Sequence, residues 1–155
     1  MTLLQGLATL SGNLLFTAGS EKEKLMPYLL IGIAGACGAL LRYGLSVLLV
    51  SEGTSFPWVT LLINYLGCLL LTWLNEKKGP FQSNPALNTA ITTGFIGSFT
   101  TFSTFSVETI TLIHTGQILL ALLYLLLSVW GGFAFAWLGA KLASSTTPYA
   151  KEGDQ

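Results

Sequence analysis

Four long apolar stretches constrain this chain more than any other feature of its sequence. They cover roughly residues 27–49, 56–74, 87–112 and 118–142. A helix needs about 20 mostly apolar residues to cross the hydrocarbon core of a bilayer, and each stretch is of that order. With 52% hydrophobic and 9% charged residues, the chain is also too apolar to cover a soluble surface. The sequence therefore predicts an all-α membrane protein of four transmembrane helices.

Polar segments flank these stretches and suggest the domain organisation. Residues 1–25 are interpreted as an N-terminal extension, which is predicted to be dispensable because Met26 resembles an alternative translation start. The membrane domain covers residues 26–142, with its first helix expected to begin at Pro27, and residues 143–155 form a polar tail. The positive-inside rule places both termini in the cytoplasm, because lysines cluster on their side of the membrane. These lysines are Lys22, Lys24, Lys77, Lys78, Lys141 and Lys151.

Several function classes are disfavoured by what the sequence contains. The net charge is zero and the lysines form no basic face, so nucleic acid is not an expected partner. Cys37 and Cys68 fall inside predicted spans, where a thiol behaves as a small hydrophobe. His114 lies in a polar turn, and the only aspartate is Asp154 in the tail, so no catalytic set can be assembled. We expect neither an enzyme nor an organic cofactor.

A few polar side chains within the predicted spans are functional candidates, because such residues are costly in lipid. Arg42 lies about 22 Å along the first helix, as an interfacial anchor or in a wet vestibule. For Asn64 the spacing favours an interhelical hydrogen bond over a donor to a permeating anion. Glu108 follows in the third stretch, and Tyr124 and Ser128 share a face of the fourth, so these three could form a polar track.

The third stretch carries the densest signal, because residues 94–105 combine glycines with five hydroxyl side chains at bilayer depth. A break at residues 97–101 is predicted, which would expose carbonyl oxygens suited to a hard cation. The alternative is a close-packed glycine crossing. Phe102 and Phe105 share a face, and the positive edges of their rings could meet a dehydrated anion, although such a pair ordinarily indicates packing.

Three motifs in this order resemble the Fluc (CrcB) family of fluoride channels: residues 35–43 (GACGALLRY), 64–67 (NYLG) and 94–105 (GFIGSFTTFSTF). The resemblance covers residues 26 to about 142. It implies an antiparallel dual-topology dimer in the cell membrane, with two pores that export fluoride passively, exclude chloride and protect against fluoride toxicity. The expected partners are fluoride and membrane lipid. The lysine asymmetry leaves open a homodimer or a heterodimer with an oppositely oriented homologue.

The same resemblance implies roles for individual residues. Phe102 and Phe105 would line the pore, Asn64 would contact fluoride, and the backbone carbonyls of Gly97 and Thr100 would hold a central structural Na⁺. It also implies supporting polar positions in or near the pore at Arg42, Thr101, Ser103, Thr104, Glu108, Tyr124 and Ser128.

Two other functions compete with a fluoride channel. A small proton-coupled exporter would use Glu108 as its proton carrier, although this residue lies toward the helix end. A purely structural membrane subunit would conduct no ion. Dependence of transport on a proton gradient would favour the exporter, and ion flux that is unaffected by changes at Phe102 or Asn64 would favour the structural subunit.

Overall fold

The computed structural model describes the backbone of residues 3–49, 55–77 and 83–146, and the side chains of residues 25–49, 55–77 and 83–145. Within these ranges every regular element is a helix, which confirms the predicted all-α class. The elements are α1 (Leu3–Leu49), α2 (Trp58–Glu76), α3 (Pro85–Thr89), a π-helix (Ala90–Ile96), α4 (Gly97–Phe99), α5 (Phe102–His114) and α6 (Ile118–Thr146). The predicted polar tail overlaps the end of α6, and its residues 147–155 lie outside the described part of the chain.

Three helices in the described ranges are long and apolar enough to cross a membrane, namely Leu25–Leu49 within α1, all of α2, and Ile118–Ser145 within α6. The chain is therefore a multi-pass membrane protein. The third predicted stretch, residues 87–112, does not form one continuous helix but is divided among α3, the π-helix, α4 and α5.

The first helix does not begin at Pro27, as the sequence suggested, because α1 runs through this residue from Leu3. Residues 21–26, Glu-Lys-Glu-Lys-Leu-Met, all have high intrinsic helix propensity, so the polar run continues the helix instead of bounding it. An internal proline removes one backbone hydrogen bond and favours a kink. The expected boundary between the extension and the first membrane helix is thus absent from the backbone.

Helix α1 packs along the π-helix and α4 in a parallel orientation. Gly94 approaches Ile31 so closely that an added Cβ would lie 2.7 Å from the Ile31 carbonyl oxygen. Further along α1, Arg42 donates a hydrogen bond to the backbone carbonyl of Ser98 in α4. Residue numbers increase in the same direction on both sides of the contact, so the two segments run the same way.

Helix α2 packs along α6, and this pair is also parallel. The Tyr65 hydroxyl donates to the Leu127 carbonyl over 2.6 Å. One turn further along α2, the backbone of Leu69 lies against Gly139 of α6, where the absence of a side chain permits the close approach. Both parallel pairs require the chain to return to the opposite end between their two members.

A core cluster of buried side chains lies between α2, α5 and α6. It is formed by Leu61, Leu112, Ala121 and Tyr124, and Phe105 packs against it. Outside this core, large apolar side chains remain exposed over the molecule, such as Leu48 on α1, which is 80% exposed. Exposed apolar surface of this extent requires lipid or another protein surface to cover it.

Candidate functional site

A short extended segment interrupts the third apolar stretch at Thr100 and Thr101. Thr100 has φ −77° and ψ 157°, and Thr101 has φ −144° and ψ 123°, both outside the helical region. The break lies within the predicted residues 97–101, but Gly97 itself is still helical. The π-helix ends directly before α4, and such local departures from α-helical geometry are frequent at functional sites.

Asn64 on α2 is hydrogen-bonded to the broken backbone through both ends of its amide. Its Oδ1 accepts from the Thr101 N–H over 2.9 Å, and its Nδ2 donates to the Thr101 carbonyl over 3.1 Å. One turn later on α2, Gly67 contacts the methyl group of Thr100. Helix α2 therefore fixes both residues of the break. The interhelical hydrogen bond that the spacing of Asn64 predicted is confirmed.

The side chain of Thr101 begins α5 as its N-cap. Its Oγ1 accepts from the Thr104 N–H over 3.1 Å and donates to the Thr104 hydroxyl over 2.9 Å. The Ser103 hydroxyl lies 3.3 Å from the same oxygen. An N-cap hydroxyl satisfies a backbone donor that has no partner inside its helix. Ser103 and Thr104, predicted as supporting polar residues, thus belong to the first turn after the break.

Two carbonyl oxygens at the break lose the donors that a continuous α-helix would supply. The Gly97 carbonyl would accept from Thr101 N–H and the Thr100 carbonyl from Thr104 N–H. Here these two N–H groups donate to the side chains of Asn64 and Thr101 instead. Among the described residues, no group of three or more His, Cys, Asp or Glu could hold a metal ion.

A groove of about 410 Å³ runs beside the break, between α2, α6 and the third stretch from the π-helix to α5. It brings together seven of the functional candidates that the sequence singled out. These are Asn64, Gly97, Thr100, Thr101, Phe102, Phe105 and Ser128. The remainder of the lining is mostly apolar, with Leu61, Ile96 and Val129 among its members. Such a groove offers few strong hydrogen-bond donors.

The two phenylalanines of α5 stand one after the other along this groove. Their ring centroids are 5.7 Å apart with an interplanar angle of 43°. Phe105 packs on Tyr124 at 5.1 Å between centroids, whereas Phe102 is 79% exposed. One ring is thus held by the core, and the other lies at the open side of the groove.

Behind Phe105, Glu108 joins three helices through its carboxylate. Thr60 on α2 donates to Oε1 and Tyr124 on α6 donates to Oε2, each over 2.7 Å. Glu108 and Tyr124 were predicted polar candidates, but neither is among the described residues that line the groove. Sequence reasoning missed Thr60. Its position one helical turn before Asn64 on the same face of α2 was the available signal.

Arg42 lies apart from the groove within a single chain. Its Nε donates to the Ser98 carbonyl over 3.2 Å, on the side of α4 that faces α1. The guanidinium therefore stabilises the helical residues just before the break. Neither an interfacial anchor nor a residue in a wet vestibule, the two interpretations of Arg42 from the sequence, included this contact. One turn before Arg42 on α1, Gly38 lies so close to the Phe95 backbone that an added Cβ would collide with the Phe95 carbonyl oxygen.

Comparison with known proteins identifies relatives of this chain. The family described as "CrcB-like protein, Camphor Resistance (CrcB)" matches residues 29–140. A protein of Geobacillus kaustophilus named fluoride-specific ion channel FluC 2 is 44% identical over 133 residues, which cover 83% of this chain and 98% of the relative.

Two further relatives carry similar names. Fluoride-specific ion channel FluC 1 of Desulfitobacterium hafniense is 49% identical over 109 residues, covering 68% of this chain and 93% of the relative. Fluoride-specific ion channel FluC 2 of Staphylococcus haemolyticus is 42% identical over 123 residues, covering 79% of this chain and all of the relative. The matched region contains the break, Asn64 and both phenylalanines, and the chain belongs to the CrcB-like protein family.

Proposed function

We propose that this chain is a fluoride-selective ion channel that exports fluoride passively from the cytoplasm and thereby protects the cell against fluoride toxicity. Relatives that cover most of the chain are named fluoride-specific ion channels. The observation that carries the proposal is the placement of Phe102 and Phe105 along one groove beside the helix break. The chain is a transport protein and not an enzyme.

Anion recognition in the groove rests on several weak donors. Phenylalanine rings carry positive edges, which can replace part of the water shell of a small anion. The amide of Asn64 and the hydroxyl of Ser128 lie in the same groove and supply conventional donors. Fluoride must enter and leave a pore rapidly, so several weak contacts serve better than one strong binding site.

The supporting polar residues stabilise this path at the start of α5 and behind Phe105. Thr101, Ser103 and Thr104 fix the start of α5, and with it the position of Phe102. Tyr124 and Glu108 support Phe105 from behind. We place Arg42 at the crossing of α1 and α4, where it would stand near the vestibule of the assembled channel.

The chain crosses the membrane four times in this proposal, with the third crossing formed by α3, the π-helix, α4 and α5. The parallel packing of α1 with α4, and of α2 with α6, supports it, because successive crossings alternate in direction. Lys77 lies over the Trp73 ring at the end of α2, and Lys141 over the Trp137 ring near the end of α6. Both pairs mark the same face of the membrane, as expected for interfacial residues on a cytoplasmic side.

The functional unit is an antiparallel dual-topology dimer. Support comes from the exposed Phe102 ring and from the exposed apolar side chains of α1, which a second subunit would cover. The partner is an identical chain or an oppositely oriented homologue. Flux and subunit stoichiometry of the chain purified alone distinguish these two cases, because a heterodimer requires co-expression of the homologue.

A central structural Na⁺ would be held by the carbonyls of Gly97 and Thr100. The residues fit this ion, because both carbonyls have lost their helical donors and carbonyl oxygen is the ligand that broken membrane helices offer to Na⁺. When bound, the ion would supply fixed positive charge at the contact between subunits. Two carbonyls from each of two subunits would complete the set.

The direction of transport follows from acid–base chemistry and the membrane potential. Neutral HF enters from an acidic medium and dissociates in a near-neutral cytoplasm, where the anion accumulates. A potential of 100 mV, negative inside, contributes about 2.3 kcal/mol per elementary charge toward export of an anion. A passive pore is therefore sufficient for export.

Proteoliposomes test the proposal directly. With valinomycin present to let K⁺ leave and balance the charge, the purified full-length chain should release trapped potassium fluoride without any proton gradient, while trapped potassium chloride stays inside. An exporter that uses Glu108 as its proton carrier would stall without an opposing proton gradient. Proton-dependent release, or no release by folded protein, would overturn the channel proposal.

A further inference from the structure

Two hydrogen bonds to Thr101 fix the orientation of the Asn64 side-chain amide at the break. The Thr101 N–H can only donate and the Thr101 carbonyl can only accept, so Oδ1 must face the former and Nδ2 the latter. Both partners are backbone groups of one residue, and the two distances are 2.9 and 3.1 Å. The asparagine therefore replaces the backbone partners that Thr101 would find inside a helix.

This pairing determines which carbonyl becomes available for a cation. In an uninterrupted helix the Thr101 N–H would donate to the Gly97 carbonyl. Because Asn64 takes that N–H, the Gly97 oxygen keeps its lone pairs for another ligand. The weak contact from the Thr100 hydroxyl to this oxygen, at 3.4 Å, leaves it only partly satisfied.

Asn64 also lines the groove in which the phenylalanines stand. An amide nitrogen carries two hydrogens, and Thr101 uses one of them. One side chain thus connects the broken backbone with the anion path. Gly67 on the same helix contacts Thr100, so α2 holds the break at two successive turns.

We propose that Asn64 is a positioning residue for the cation site, in addition to any contact it makes with the anion. The inference rests on the proposed Na⁺ ligands, Gly97 and Thr100. It states that Asn64 keeps the Gly97 carbonyl free by binding the Thr101 N–H, so that loss of this acceptor weakens Na⁺ binding even when no fluoride is present.

The test measures the thermal stability of the purified full-length chain as NaCl replaces N-methylglucamine chloride, without fluoride. For the wild type we expect the melting temperature to rise with Na⁺ to a plateau, which defines a midpoint concentration. Asn64→Leu has a similar shape but no acceptor, and should raise this midpoint by about 10- to 100-fold, as loss of a group that orients a metal ligand typically does. Asn64→Asp keeps the acceptor oxygen and should not raise the midpoint.

Phe102→Ile is the matched control, because it alters the anion path at an exposed position and removes neither partner of the Asn64–Thr101 hydrogen bonds. It should reduce fluoride efflux and leave the Na⁺ midpoint unchanged. If Asn64→Leu also leaves the midpoint unchanged, Asn64 serves the anion alone and the inference is wrong. Should Asn64→Leu fail to fold, a raised midpoint in Asn64→Asp would contradict the inference equally.

The wild type separates this inference from the proposed function. A wild type that conducts fluoride but gains no stability from Na⁺ would overturn the cation site, and this inference with it, but not the channel. A wild type that is stabilised by Na⁺ but conducts no fluoride would overturn the channel alone.

Discussion

Individual residues connect the helices around Glu108. Its carboxylate accepts one hydroxyl from α2 and one from α6, so a single side chain on α5 fixes the spacing of three elements. The sequence identified Glu108 and Tyr124 as polar candidates in the membrane, but it could not show that they are bonded to each other. That pairing depends on how α5 packs against α6. The number of residues between Glu108 and Tyr124 does not determine this packing.

Removing one donor from this network should cost stability. Tyr124→Phe deletes the hydroxyl that donates to Glu108 in a fully buried position, and hydrogen bonds to charged groups contribute about 1.5–3 kcal/mol. We expect a clearly lower melting temperature in detergent. Thr111→Val on the exposed side of α5 is the control, since its hydroxyl bonds only within its own helix. Equal melting temperatures for the two variants would show that the network adds little.

The exposed ring of Phe102 should matter for conduction more than for folding. Phe102→Ile removes the aromatic edge from the groove but retains an apolar side chain at a position that is 79% exposed. We expect fluoride efflux to fall by at least about tenfold, equivalent to about 1.4 kcal/mol in the barrier, with little change in melting temperature. Efflux at the wild-type rate would exclude this ring from the pore.

Among the elements, the broken third stretch was the most predictable, because glycines and hydroxyls at residues 94–105 contradict the composition of a plain membrane helix. The π-helix before the break was not predictable, since it depends on how the backbone fits against α1. The prediction that α1 starts at Pro27 was wrong for a different reason. Charged residues that mark a membrane boundary are also strong helix formers, so the helix passes through Pro27.

The close crossing of α1 with the π-helix leaves no room for a side chain at Gly38. A Cβ added at Gly38 would collide with the Phe95 carbonyl, a backbone atom that cannot rotate away, so Gly38→Ala must separate the two elements. Overpacking of this kind typically costs about 1–3 kcal/mol. On the same helix, Gly44→Ala meets open space and should be neutral or slightly stabilising. Similar melting temperatures for both variants would contradict the described packing.

For the whole molecule, the sequence predicted a multi-pass membrane protein correctly because hydrophobic length is a local property of the chain. Pairing of α1 with α4, and of α2 with α6, is a tertiary property, and it was visible only in the structure. The antiparallel dimer remains a prediction, since it concerns surfaces that a single chain leaves exposed.

Transport should not require the first 25 residues. A variant that starts at Met26 keeps the membrane-spanning segment Leu25–Leu49 almost complete, together with α2, the break and α6. We expect it to release fluoride from proteoliposomes within about twofold of the full-length rate, because every residue that lines the groove lies after this start. Loss of transport in a folded, membrane-inserted variant would assign a functional role to the extension.

Electrogenic fluoride release distinguishes a passive channel from a proton-coupled transporter. Liposomes loaded with potassium fluoride and containing the purified chain should release little fluoride until valinomycin lets K⁺ leave and balance the charge, and efflux should then proceed without any pH gradient. This result is expected of a pore that moves fluoride alone. Rapid release without valinomycin, or release coupled to proton uptake into the liposomes, would contradict a passive channel, because either result would mean that the protein moves protons together with or against fluoride.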